Sequence, residues 1–293
     1  MNFVYFSRVT MVNIYRIFLM SLTPIESKNV AKTFASTVVG AATQGASGAI
    51  IGALLASVTD PVTNRLLVKR MTLAQAIADV DAQQCYSYFK TTLPTNFIKF
   101  PLFEVLNEIS GKLDVPSSLK GVITGVIFTT ATLPLTNYRY CKSVQEDVSI
   151  TSPKLWKAYI PTVVRDVIYA NARNQVAAAL AQAFPGLSNS TAGRFLAMFL
   201  TVIAASLISS PGNEWRGFNL QPADRKKSAS EFFQFDRYVR STTIGALVMG
   251  LSLGIATIVS SPIQRVIPHL VERRFLLLAI VAVVAYKSSK ASQ

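Results

Sequence analysis

Residues 131–139 read ATLPLTNYR: an uncharged run that starts at Gly121 meets Pro134, and Arg139 follows five residues later. Proline inside a helix removes a backbone donor and crowds the preceding turn, so it marks a kink or an end. Two other stretches repeat the arrangement. SVTDPVTNR (57–65) carries Pro61 and Arg65, and LISSPGNEWR (207–216) carries Pro211 and Arg216. Pro61 and Pro134 are 73 residues apart, and Pro134 and Pro211 are 77 apart. A second motif recurs between them, FKTTLPT at 89–95 and WKAYIPT at 156–162, with its prolines 67 residues apart. Two different motifs that recur in one order at one period point to a triplicated unit.

Composition says where that unit lives. The chain has 293 residues, 51% hydrophobic and only 15% charged, with a mean hydropathy of +0.37. Soluble domains carry about 25% charged residues. Thr33–Thr59, Phe195–Asn213 and Ser241–Gln264 contain no charge at all. At about 1.5 Å per residue each is long enough to cross a hydrocarbon core of roughly 30 Å. Gly121–Tyr138 sits at the short limit. These runs predict an all-α membrane protein.

Each repeat then reads as an apolar helix that ends at its proline, a polar connector, and a more polar second helix. The repeats fall at 33–110, 111–187 and 188–262. Residues 1–32 precede them as an amphipathic segment with no acid before Glu26. Such a segment fits both an organelle-targeting sequence and a helix lying in the bilayer interface. A basic-hydrophobic tail, 263–293, follows the repeats. Gly48 and Gly52 in the first apolar helix, and Gly121 and Gly125 in the second, have the small-residue spacing that lets helices approach closely in lipid.

The second helices carry ionisable side chains: Lys99, Glu104 and Glu108 in one, Arg165, Asp166 and Arg173 in the next, Arg240 in the last. An ion in lipid costs several kcal/mol and normally faces a cavity or a partner. The net charge is +14, which suits anionic lipids, positively charged loops and an anionic substrate. Nucleic acid is not expected, because the basic residues lie between apolar spans and form no dense solvated patch. Cys85 and Cys141 stand in unrelated contexts, and the lone His269 has no ligand partners at useful spacing, so no disulfide framework or metal site is expected. There is no phosphate-cradling glycine loop, nucleophile elbow or HExxH motif. The expectation is a protein that is not an enzyme and needs no cofactor.

These strings resemble the mitochondrial carrier family. Its odd helices end in proline, any residue, an acid, two residues and a base; here the strings are PVTNRL, PLTNYR and PGNEWR. The base falls in register at Arg139 and Arg216, whereas Leu66 takes its place in the first repeat and Arg65 comes one residue early. The acid is replaced by Thr63, Thr136 and Asn213, with Asp60 and Glu214 alongside as substitutes. FKTTLPTNFIKFP and WKAYIPTVVRDVI resemble the family's aromatic–basic–glycine–x–x–proline opening of even helices, with Thr91 and Ala158 in place of glycine. The likeness covers roughly residues 33–260. The family's second gate motif, on the even helices, survives at Phe103–Glu104.

The resemblance implies six transmembrane helices in a pseudo-threefold bundle, with short connector helices trimmed because the repeats are brief. It implies a monomeric antiporter of anionic metabolites, foremost nucleotides such as ATP and ADP, working by alternating access in the mitochondrial inner membrane with anionic lipids such as cardiolipin as partners. Substrate contacts carried over by register are Ile98, Lys99, Arg165, Asp166 and Arg240; the gate residues are Pro61, Arg65, Pro134, Arg139, Pro211 and Arg216. Converging bases favour an anion, because arginine forks bind phosphate and carboxylate in two-point contacts. Two alternatives stay open. One is a carboxylate or amino-acid carrier; the other is a degenerate homologue acting as a scaffold or insertase, with the outer membrane as its place. Divergence and short repeats are also compatible with the carrier-like nucleotide transporters that some intracellular bacteria deliver to host mitochondria.

Overall fold

The structure, a computed structural model, describes residues 24–64, 72–143, 147–149, 151–221 and 228–271, with backbone alone at 24–33, 63–64, 142–143, 237, 240–241 and 265–271. Most of the N-terminal segment (1–23), the gate residue Arg65 and the tail from 272 onward lie outside the described residues. By contacts the chain divides into two compact units, residues 1–40 and 41–293.

Every regular element among the described residues is helical. In chain order they are α1 (Pro24–Asn64), α2 (Leu73–Ala78), α3 (Ala82–Gly111), α4 (Ser117–Ser143), a 3-10 turn (Pro153–Trp156), α5 (Tyr159–Ala183), a 3-10 turn (Leu187–Asn189), α6 (Thr191–Leu220), α7 (Ala229–Phe232) and α8 (Phe235–Val271). Local chemistry sets several of the starts. The Asp81 carboxylate accepts from Gln84 N at 2.7 Å to open α3, and the Ser190 hydroxyl accepts from Gly193 N at 2.9 Å to open α6. Thr72 and Gln75 cap α2 reciprocally, each satisfying a backbone donor the helix itself cannot.

Four helices are long and apolar enough to cross a membrane: Phe34–Val62 of α1, Ser117–Cys141 of α4, Thr191–Leu220 of α6 and Thr242–Gln264 of α8. The four charge-free runs of the sequence fall within these spans to within one residue. Helices α3 and α5, with 30 and 25 residues, are long enough but too polar to qualify. The surface supports a lipid setting. Ile50, Leu54, Val58, Leu207 and Ile208 are exposed, while Asn96, Asn137, Thr129, Asp166 and Arg173 are buried. Buried serine and threonine hydroxyls donate to carbonyls one turn back, as Thr132 does to Phe128 O at 2.8 Å. Such bonds satisfy polar groups where no water is present.

Two expectations need correction. The three prolines do not end their helices: Pro61, Pro134 and Pro211 lie inside α1, α4 and α6, which run on to Asn64, Ser143 and Leu220. A proline frees the carbonyl four residues back, and a neighbouring donor can take it over. At Pro211 that carbonyl belongs to Leu207, and the Ser210 hydroxyl donates to it at 2.6 Å. Nor does FKTTLPT open a helix. Pro94 lies well inside α3, which begins at Ala82, because the Asp81 cap starts the helix earlier; Pro161 does sit in the first turn of α5. Among the described residues, the connectors after α1, α4 and α6 hold α2, the turn at Pro153–Trp156 and α7, of six, four and four residues.

Within the second unit the long helices pack in chain order: α3 on α4, α4 on α5, α5 on α6, α6 on α8. Glycines fix the tightest approaches. A side chain on Gly125 of α4 would put its Cβ 2.5 Å from Val167 N of α5, and Gly121 is blocked by Asn171 in the same way. On α1, a Cβ at Gly48 would lie 2.8 Å from Leu253 of α8, and one at Gly52 would lie 3.2 Å from both Phe100 of α3 and Ser252 of α8. The first long helix thus touches both the second and the last. Between α3, α4 and α5 a small apolar core forms from Phe103, Leu106, Phe128 and Ala170. Its rings meet edge-on, with Phe103 at 5.2 Å from Phe128, the arrangement aromatic quadrupoles prefer.

Candidate functional site

All six long helices line one cavity of about 410 Å³, within the usual size of small-molecule sites, about 300–1,000 Å³. Five bases and three acids reach it: Lys99, Arg139, Arg165, Arg173 and Arg216 against Asp60, Glu104 and Asp166. Three of the bases are paired.

At the proline end, Arg139 of α4 spends its donors on three partners. Nη2 meets Asp60 Oδ2 of α1 at 2.8 Å, Nη1 meets Asn96 Oδ1 of α3 at 2.8 Å, and Nε donates to the Tyr88 hydroxyl at 3.2 Å. That hydroxyl in turn donates to Asp60 Oδ2 at 2.8 Å. The knot ties three helices together. Beside it, Arg216 Nη2 of α6 donates to Asn137 Oδ1 of α4 at 2.7 Å, and the Asn137 amide donates to the carbonyls of Leu155 and Lys157. Ser210 of α6 and Tyr238 of α8 share a short hydroxyl contact.

Toward the other end, Arg173 of α5 grips Glu104 of α3 with both Nη atoms, at 2.9 and 2.7 Å. Both side chains are buried, and the guanidinium stands 5.2 Å from the Phe103 ring centre. Between the two ends, Asp166 accepts from Arg165 Nε at 2.8 Å and from the Thr129 hydroxyl at 2.6 Å. Arg165 also reaches Asn213 Oδ1 of α6 at 3.4 Å.

Two cations are left over. Lys99 makes no hydrogen bond or ion pair with the described residues; its ammonium lies 6.0 Å from the Phe128 ring centre. Arg216, 8% exposed, has no carboxylate partner among the described residues, and its Nε has no acceptor. Among the described residues, the cavity lining therefore holds two more bases than acids.

Of the substrate contacts read from sequence, Lys99, Arg165 and Asp166 come together here. Ile98 does not: it is 50% exposed on the outer face of α3, because neighbours on a helix point about 100° apart. Arg240 lies in α8, with its side chain outside the described residues. Of the gate residues, Arg139 and Arg216 line the cavity and Pro61, Pro134 and Pro211 lie on the helices that carry it. Glu108 pairs with Lys112 at 3.6 Å near the exposed end of α3, away from the cavity.

The partnership of Glu104 with Arg173 was missed, although a signal existed. Phe103-Glu104-x-x-Asn107 and Tyr169-Ala170-x-x-Arg173 share an aromatic start 66 residues apart, close to the 67-residue offset of the proline motifs. The first string has the acid and the second has the base. Comparison with family models, with curated proteins and with solved structures finds no match.

Proposed function

We propose that this chain is a membrane transporter of anionic metabolites working by alternating access, with nucleotides such as ATP and ADP as the first candidates and antiport as the mode. The observation that carries the reading is the central cavity whose lining, among the described residues, holds two more bases than acids. A hollow lined by an excess of bases concentrates an anion, and ionisable groups within membrane-spanning helices normally mark a substrate or ion path.

The ion pairs at the two ends of the cavity serve as gates. Two unit charges about 4 Å apart attract by about 4 kcal/mol at an effective dielectric of 20, enough to hold a gate and little enough for ligand binding to offset. The six long helices are read as three repeats around a pseudo-threefold axis. Arg139 reaches back 79 residues to Asp60, and Arg216 reaches back 79 residues to Asn137, so the base of one repeat meets the preceding repeat in a recurrent way. On this reading α3 and α5 also span the bilayer, their charges turned inward. The resemblance to mitochondrial carriers favours the mitochondrial inner membrane, which protease protection of tagged termini in isolated mitochondria tests. Counter-exchange of labelled ATP against ADP, a dicarboxylate or an amino acid in liposomes tests the activity; absence of exchange across that panel refutes it.

A further inference from the structure

The four cavity arginines are not equivalent. Arg139, Arg165 and Arg173 each hold a carboxylate, whereas Arg216 has only the neutral Asn137 amide oxygen and the Tyr140 ring, 5.9 Å from its guanidinium carbon. A guanidinium offers five N–H donors, and a buried one without a counter-charge is costly. Arg216 is buried and its Nε meets no acceptor. Lys99, in the same cavity, is the other base without an acid among the described residues. The proline end is therefore a charge network with one negative member short.

We propose that the transported anion is that missing member: an oxyanion group, phosphate or carboxylate, docks between Arg216 and Lys99 and completes the proline-end network. This rests on the reading of the cavity as an anion site. Its consequence is that ligand and gate are one structure. An oxyanion can accept from the Nη donors of Arg216 that Asn137 does not take, and the ammonium of Lys99 meets it from α3. Occupancy then ties α6 and α3 together where no internal carboxylate does so.

The test uses the purified full chain in detergent, with thermal unfolding followed while ATP, succinate or inorganic phosphate is titrated. A ligand that binds only the folded state raises the midpoint, and the three probes tell a nucleotide phosphate from a dicarboxylate and from free phosphate. Two variants act in opposite ways. Arg216→Gln removes the cation. Thr136→Asp supplies a carboxylate from α4; Thr136 lines the cavity and its hydroxyl donates only to Thr132 O of its own helix. Both should weaken binding of the preferred anion at least ten-fold, and Thr136→Asp should unfold at a higher temperature than wild type when no anion is present. Wild-type affinity in either variant, or a wild-type midpoint that no probe moves, overturns the proposal. If the variants lose binding but liposomes show no exchange, the anion site stands and transport falls; if exchange is intact and both variants bind like wild type, transport stands and this site falls.

Discussion

Ala158 has φ 57° and ψ 33°, the left-handed region, at the residue immediately before α5. A Cβ there costs roughly 1–2 kcal/mol, which glycine avoids. The aromatic–basic–glycine–x–x–proline likeness put Ala158 in the glycine position, so this strain was legible in the sequence. Thr91 occupies the same motif position and shows no such strain, since it sits within α3 and its hydroxyl donates to Ser87 O at 3.2 Å. The expectation that this motif opens a helix fails at Thr91, because the Asp81 cap starts α3 about three turns upstream. Ala158→Gly should therefore stabilise the protein by about 1 kcal/mol net of the extra unfolded-state freedom of glycine, seen as a raised midpoint in thermal unfolding. Thr91→Gly should do the reverse, by about 1 kcal/mol, as for any glycine within a helix.

Helix pairs are held by a few discrete contacts, and the Glu104–Arg173 clamp between α3 and α5 is the most buried of them. Removing one partner strands the other: Arg173→Ala leaves a buried carboxylate and should cost about 3–5 kcal/mol. The double variant Glu104→Gln with Arg173→Met leaves no stranded charge and should cost much less, a contrast that denaturation of the two proteins reads directly. Gly125 sets the approach of α4 to α5, with Val167 N where a Cβ would go. Gly125→Leu should cost about 1–3 kcal/mol or more through overpacking, with unfolding midpoints as the measure. Hydropathy revealed α1, α4, α6 and α8 because their charge-free faces meet an apolar surround. It does not single out α3 and α5, which bring Lys99, Glu104, Arg165, Asp166 and Arg173 to the cavity, and a mean over residues cannot tell an inward lysine from an exposed one. Pairings such as Arg139 with Asp60 were only half legible: Asp60 stood beside the motif as a substitute acid, but which base it meets depends on how helices 79 residues apart come together.

For the molecule as a whole, the question is whether the cavity opens to each side in turn. Among the described residues three ion pairs and two further bases line the cavity, and aliphatic side chains such as Leu54 and Val58 are exposed. Under the proposed transport function, an anion is exchanged by shifts between states whose energies differ by less than the ligand's differential binding. The most direct measurement is counter-exchange by the purified chain in liposomes loaded with unlabelled anion, with labelled ATP, ADP, dicarboxylate or amino acid outside. Saturable uptake of at least one anion is expected, dependent on internal anion and at least ten-fold lower in Arg216→Gln. Uptake of none of them, by protein shown to be folded and inserted, would contradict the proposed function.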